Sequence, residues 1–348
     1  MPITAAPPYR LSVLLVTYNH EKYIRQALDA VFGQVIEGTI ELVIADDASS
    51  DQTLNIIREY EEKQDRFHFC YLDNSKNLGI TKNYQRGFAA CTGQYVAVLE
   101  GDDYWISPFK LQRQMEFLDS HWESDLCSVN YLVFEEDGLR FSARITSGRD
   151  YRPNVARDKA ANNEEDRLRF STASGHNYRL LTARDAVAYN VASNFSTCMY
   201  RKTALDALPA KLFEICSYDW IVNICVARRS MTGFLEEPMS VYRVHSSGAW
   251  SKYSRIEKLQ SQLEIIPAYD ALTGHVYSAE FEALSERLKS LIARAKRGSV
   301  VTGIFEPRAA LPHDPIGYLP PVLLWLLRAL MPPRLRRYIR GLLKRGAT

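Results

Sequence analysis

Three carboxylates in four positions, Glu100, Asp102 and Asp103, stand between the apolar run Tyr95-Val96-Ala97-Val98-Leu99 and the aromatic pair Tyr104-Trp105. The run reads as a buried strand, and the amphipathic stretch from Phe109, after Ser107-Pro108, reads as a helix. In an open α/β sheet, the carboxyl ends of the strands are where ligands bind. Crowding acids there is costly unless a cation or a hydrogen-bonded hydroxyl offsets the repulsion. A hard divalent ion held by one or two carboxylates and by substrate phosphates meets that need. An isolated Asp-Asp pair before a helix is more commonly a cap that complements the helix dipole. A second acidic strand end upstream tips the balance toward chemistry.

That second end is Glu41-Leu42-Val43-Ile44-Ala45-Asp46-Asp47, followed by small polar residues and a helix start over 51–53. A third apolar run, Leu11 to Val16, ends in Thr17-Tyr18-Asn19-His20 before the helical pattern of Tyr23 to Phe32. Parallel strands joined by right-handed crossovers bring such junctions together along one rim. There Tyr18 offers a flat face for a nucleobase and Asp47 an acceptor for a base N–H. Asp102 or Asp103 can reach a metal on a diphosphate. Lys82 and Arg86, on the helix after Asn77-Leu78-Gly79, could face that diphosphate or form a solvated face.

The elements that must position these residues follow a regular alternation. Residues 67–72 read as a strand, 81–90 as a helix, 109–118 as a helix and 126–134 as a strand. Strands alternating with helices at this spacing predict a mostly parallel sheet, with no internal repeat. From Glu135 to Arg179 the chain turns polar, with no sustained period; this segment is either a mobile loop over an acceptor site or an inert insertion. Order resumes with a helix over 181–190, a strand over 194–200 and a helix opening near Asp219, whose acid would favour a helix N-terminus.

Composition narrows the classes. A hydrophobic share of 46% in 348 residues supports a substantial core, and a net charge of +2 gives no signal for nucleic acid. The six cysteines show no Cys-x-x-Cys pair and several fall in apolar runs, as small buried thiols in a reducing compartment would. With no basic leader and a first apolar run too short for a signal peptide, the expectation is a cytoplasmic protein. No Gly-x-Gly-x-x-Gly and no Walker-type lysine loop is present, against dinucleotide redox chemistry and NTP hydrolysis.

Taken together, Val13-Leu14-Leu15-Val16-Thr17-Tyr18-Asn19, Ile44-Ala45-Asp46-Asp47-Ala48-Ser49 and Glu100-Gly101-Asp102-Asp103-Tyr104-Trp105 resemble family 2 glycosyltransferases of the GT-A fold. Asn77-Leu78-Gly79 and Gly93-Gln94-Tyr95 match as well, and the likeness runs well over 10–130 and more patchily to about 250. The resemblance implies an α/β GT-A catalytic domain over 8–250, its donor half at 8–130 and its acceptor half at 131–250, then a helical C-terminal region at 251–348. It implies inverting transfer of a sugar from a nucleotide-diphospho-sugar donor to an acceptor hydroxyl, in glycan or polysaccharide synthesis, with Mn²⁺ or Mg²⁺. The donor site would comprise Thr17, Tyr18, Asn19, Asp46, Asp47, Lys82, Glu100, Asp102 and Arg243. The family's metal motif is Asp-x-Asp; with Glu100 at its first position, the metal falls to Asp102 and Asp103, joined by His245, and Glu100 to the ribose or a water ligand. Asp219 stands at the catalytic-base position, although Tyr218 replaces the acid that commonly precedes it. The rivals are a nucleotidyltransferase, which should carry a Gly-rich loop where Thr17-Tyr18-Asn19-His20 stands, and a non-catalytic sugar-nucleotide binder.

The chain's end adds one expectation. Pro315 to Leu327 is uncharged and mostly apolar, too short to span a bilayer, and is followed by Arg328, Arg334, Arg336, Arg337, Arg340, Lys344 and Arg345. An apolar segment beside a basic one would bind an anionic membrane on its inner face, suiting a lipid-linked acceptor. Its leucine stripe could instead pack on the catalytic domain or in a homodimer.

Overall fold

Two strands buried on both faces come first among the described elements, β1 (Leu11–Thr17) and β2 (Ile40–Asp46), with every residue buried. Mostly apolar strands buried in this way belong to parallel sheets covered on both sides. The computed structural model describes residues 9–62, 64–137, 140–143, 170–171, 177–190, 194–215, 218–297 and 309–310. Between and after the first two strands come α1 (Ile24–Phe32), α2 (Thr53–Glu61), β3 (Phe67–Tyr71), α3 (Ile80–Ala90) and β4 (Tyr95–Glu100). Helix α1 buries Ile24, Ala27, Leu28 and Val31, the one-face spacing of an amphipathic helix.

The second half continues with β5 (Tyr104–Trp105), α4 (Lys110–Ser120), β6 (Ser124–Glu135), β7 (Arg140–Ala143), β8 (Phe170–Ser171) and β9 (Asn177–Leu181). Then follow α5 (Ala183–Tyr189), β10 (Cys198–Arg201), α6 (Lys202–Asp206), α7 (Asp219–Ala227) and β11 (Met231–Val244). A helical hairpin, α8 (Arg255–Leu272) and α9 (Ser278–Lys296), and the short β12 (Ala309–Ala310) complete the described elements.

The main path of the sheet runs β3-β2-β1-β4-β10-β6-β11-β9-β8. Strands β3, β2, β1 and β4 are mutually parallel, β10 runs antiparallel to β4 and β6, and β6 and β11 are parallel. This is the mostly parallel α/β sheet the alternation predicts. One face packs Leu11, Val13 and Leu15 with α1, α2 and α4. The other packs Leu14 and Val16 with α3, α5, α7, α8 and α9, so the helical hairpin shares a core with the sheet. Cys91, Cys127, Cys198 and Cys225 are buried free thiols.

Three expectations shift. The helix expected from Leu181 begins at Ala183, because Thr182 caps it through a reciprocal capping box with Asp185. The strand expected from Asn194 begins at Cys198, because Phe195–Thr197 form a 3₁₀ turn closed by the Thr197 hydroxyl donating to the Asn194 carbonyl. Part of the polar 135–179 stretch is sheet: β9 pairs with β11 over Tyr178–Leu181. Most of that stretch, with Cys216 and the tail from Pro315, lies outside the described residues.

Candidate active site

Strand register builds the rim. Thr17 lies opposite Asp46 and Val16 opposite Glu100, so β1, β2 and β4 end level with one another. The ladder runs one step further: Asp47 N–H donates to the Thr17 carbonyl (2.9 Å) and Gly101 N–H to the Val16 carbonyl (2.8 Å). Gly101 is needed there, since a Cβ would sit 2.8 Å from both Thr17 Oγ1 and His20 Nδ1. The acidic motif can therefore press against the end of β1.

The β1 and β2 junctions are stitched together. Asn19 N–H donates to Ser49 Oγ, Ser50 N–H to Asn19 Oδ1 and His20 N–H to Thr53 Oγ1, each at 2.8 Å. Asn19 and Ala48 both hold positive φ, 54° and 63°. Asn tolerates that conformation through local side-chain bonding, whereas Ala48 carries the strain without it. Asp46 accepts from the backbone and hydroxyl of Ser49. Both Asp47 oxygens accept backbone N–H groups that lead into α3, from Leu78 (2.7 Å) and Gly79 (2.9 Å). Tyr18, 48% exposed, stands beside these locked loops with its ring open to solvent.

At the end of β4 the three acids differ. Glu100, half-buried, accepts from the Tyr84 hydroxyl (2.8 Å). Burial, then the Asp102 charge, push its carboxyl up to about 8. Asp103 is 1% exposed; Arg243 N–H donates to its Oδ1 (2.9 Å), while Oδ2 is buried with no donor. Burial, then the charges of Asp102 and Glu100, hold Asp103 well above the usual carboxylate range. Asp102 Oδ2 lies 3.1 Å from His245 Nε2 and 3.7 Å from His20 Nε2. Burial acts to raise its pKa, but the His245 hydrogen bond and the two imidazoles outweigh that, so Asp102 titrates below its ordinary value. Burial in turn lowers His20.

Among the described residues no three His, Cys, Asp or Glu side chains form a ready metal cage. An ion that takes one or two carboxylates and completes its shell with phosphate and water needs none. The donor set fits such an ion: a low-pKa carboxylate on Asp102, an imidazole beside it and an unpaired buried oxygen on Asp103.

Other expected residues are placed differently. Arg243 is turned inward: its Nε donates to the Asp102 carbonyl (2.8 Å), its Nη2 bonds Gln26, and Tyr23, Tyr104 and Phe134 surround the guanidinium at 4.9–5.6 Å. It clamps the acidic loop. Lys82 is exposed and donates to Gln85 on its own helix (3.0 Å), whereas Arg86 reaches the Asp46 carbonyl (2.6 Å). Asp219 opens α7, and its Oδ1 accepts from Trp220 N–H. Its negative charge adds to the upward shifts of Glu100 and Tyr84, so it belongs electrostatically to the same cluster.

A family model described as glycosyl transferase family 2 matches residues 12–181. That segment, just under half of the chain, is a glycosyl transferase family 2 domain. An uncharacterized Mycobacterium tuberculosis (H37Rv) protein is 32% identical over 240 residues, 69% of this chain and 60% of that protein. The chain thus spans about 60% of the length of the first curated relatives it matches. Of solved structures, S. aureus TarS 1–349 in complex with UDP-GlcNAc superposes with a TM-score of 0.53 at 20% identity, over 82% of this chain and 73% of that one. The Pyrobaculum calidifontis mannosyltransferase PcManGT, in complex with GDP-Man and Mn²⁺, gives 0.51 at 18%, over 97% and 85%. These likenesses show the fold, GT-A.

Three residues given no role from the sequence join the cluster, His20 and Tyr84 inside the matched family 2 segment and Ser196 beyond it. His20 flanks Asp102, Tyr84 holds Glu100, and Ser196 accepts from Glu100 N–H (3.1 Å) through its hydroxyl and from Trp105 Nε1 (2.8 Å) through its carbonyl. His20 could have been found from its place in the first strand-end motif. Tyr84 sits at the core spacing of α3, and Ser196 inside a segment that reads as strand.

Proposed function

We propose that the chain transfers a glycosyl group from a nucleotide-diphospho-sugar to an acceptor hydroxyl, inverting the anomeric carbon, with Mn²⁺ or Mg²⁺ at the donor diphosphate. The observation that carries this reading is the Asp102 carboxylate, held beside His245 and His20 on a rim it shares with the exposed Tyr18. Tyr18 would stack on the base, with Thr17, Asn19, Asp46 and Asp47 shaping its pocket. Asp102, Asp103 and His245 would hold the divalent ion, which supplies positive charge to the departing diphosphate when bound. Glu100 would meet the ribose or an ion-bound water. Arg243 would keep the acidic loop in place, and Lys82 would contribute at most a diffuse positive charge.

Asp219 takes the acceptor proton as the acceptor oxygen bonds to the anomeric carbon and the bond from that carbon to the diphosphate breaks. Holding both partners in line lowers the entropic part of the barrier. The tail from Pro315, with its run of cations, would dock the domain on an anionic membrane surface facing a glycan or lipid-linked acceptor; liposome flotation with and without the tail checks that part.

Thermal shift across UDP-, GDP- and dTDP-sugars, with Mn²⁺ or with EDTA, tests the donor reading, because a ligand bound to the native state stabilises it by mass action. One nucleotide series should raise Tm in Mn²⁺ and lose most of that effect in EDTA. Equal shifts in EDTA would remove the metal from the proposal, and no shift with any donor would remove the function. Binding without turnover across an acceptor panel would favour a non-catalytic binder.

A further inference from the structure

Three aromatic rings, one of them on the residue that precedes the proposed base, lie outside both cores of the sheet. Tyr218 is the N-cap of α7 and directly precedes Asp219. Its ring centroid is 5.4 Å from that of Trp250, with the planes at 54°. Tyr253, 43% exposed, continues the row 6.1 Å further on at 62°. Rings inclined at these angles meet as a corner, and all three keep some solvent exposure, so aromatic area left partly in water forgoes burial that the core would reward.

The corner is tied to the donor side. Gly248 N–H donates to the His245 carbonyl, and Ser251 N–H to the Gly248 carbonyl, both at 3.0 Å, so Trp250 follows His245 through a tight turn. A Cβ on Gly248 would meet Ser251 Oγ at 2.9 Å and His245 Nε2 at 3.4 Å, which leaves that turn little freedom. His245 in turn bonds Asp102. One aromatic pair therefore has the donor-side carboxylate at one end, through His245, and Asp219 at the other, through Tyr218.

A pyranose suits such a corner. Its C–H face is apolar and removes aromatic area from water, while its hydroxyl rim stays polar and can point a nucleophile at a carboxylate. We propose that Tyr218 and Trp250 form the acceptor subsite and that the acceptor presents a sugar ring, stacked on Trp250, rather than an open-chain polyol. This inference rests on the glycosyl-transfer reading and on Asp219 as base, and adds the class of acceptor.

The full chain, labelled with 5-fluorotryptophan, carries five tryptophans, and Trp250→Phe assigns the Trp250 ¹⁹F resonance. With UDP or GDP and Mn²⁺ bound, methyl glycosides of glucose, galactose, mannose, N-acetylglucosamine and rhamnose are titrated in, with sorbitol as the ring-free control. At least one glycoside should move the Trp250 resonance and leave that of the exposed Trp122 in place, and sorbitol should move neither. Saturation-transfer signals of that glycoside should weaken about tenfold in Trp250→Ala and survive in Trp250→Phe, as expected for loss and retention of an aromatic face. If nucleotide binds but no glycoside moves Trp250, or sorbitol moves it equally, the sugar-ring subsite is overturned while the donor reading stands. If neither UDP nor GDP binds with Mn²⁺, the donor reading beneath it fails first.

Discussion

The proposed donor rim and the proposed acceptor side of this molecule hold their polar groups by different means. On the rim, Thr17, Asp46 and Glu100 are set by parallel strand register, and Asn19, Asp46 and Asp47 each accept backbone N–H groups from the junctions beside them. On the other side, Asp219 stands on the first turn of a helix, while His245 and Arg243 meet the acidic loop from 143 and 140 residues away. The rim is part of the fold's hydrogen-bond framework, so damage there should cost stability and function together. Asp219 adds its negative charge to the cluster, so as the proposed base its replacement by the near-isosteric Asn should cost turnover before stability.

The largest effect should come from Asp102→Asn. It keeps the shape and removes the charge that His20 and His245 face, and should lower transfer by about 10²–10³-fold and abolish the Mn²⁺ dependence of donor binding. Steady-state kinetics and calorimetry check this; near wild-type transfer would detach the rim from the chemistry. Asp219→Asn should reduce kcat by about a hundredfold with donor affinity and Tm unchanged. A parallel fall in Tm would erase the contrast between the two sides.

Two groups with opposite shifts, half-buried Glu100 and buried Lys110, sharpen the comparison through pH. Glu100, pushed up to about 8 from 4.5, binds a proton more tightly folded than unfolded. In EDTA, wild type should therefore lose stability relative to Glu100→Gln as pH rises from about 4.5 to about 8, with a slope of at most ~1.4 kcal/mol per pH unit. Lys110, inaccessible to solvent, sits 4.3 Å from the Trp105 ring, donates to Gln114 (2.8 Å), and is lowered by burial to about 7 from 10.5. Here the unfolded chain binds the extra proton, so wild type should gain stability relative to Lys110→Met as pH rises from about 7 to 10.5. Urea unfolding across pH reads both, and slopes of the same sign would refute the assignment of one of them. The smallest effect belongs to Lys82→Ala: with an exposed amine bonded within its own helix, donor affinity should change by no more than about threefold.

Much of the rim was legible because its signals are local. An apolar run that ends in Asp46-Asp47, or in Glu100-Gly101-Asp102-Asp103, reports a buried strand and a polar junction within a dozen residues. The apolar spacing of α1 reports its buried face in the same way. The 3₁₀ turn at Phe195–Thr197 was not legible, because Ser196 leaves the strand to meet Trp105 and Glu100, 91 and 96 residues away. Arg243 reads as a donor-site cation until three aromatic rings and the Asp102 carbonyl are seen around it.

The sequence by itself determined the α/β alternation, the three strand-to-helix junctions and the residue types on them, since periodicity and turn chemistry act over a few neighbouring residues. Only the tertiary structure decided which groups meet. Strand β11 lies beside β6 and pairs with β5, through Ser240–Trp105 and Val241–Tyr104, and this carries Arg243 under the acidic loop and His245 to Asp102. The three acids follow one another in the chain, yet Asp102 titrates low, Glu100 is pushed up to about 8 and Asp103 higher than usual. Burial and distant partners set those differences, and both are properties of the packed sheet rather than of the local sequence.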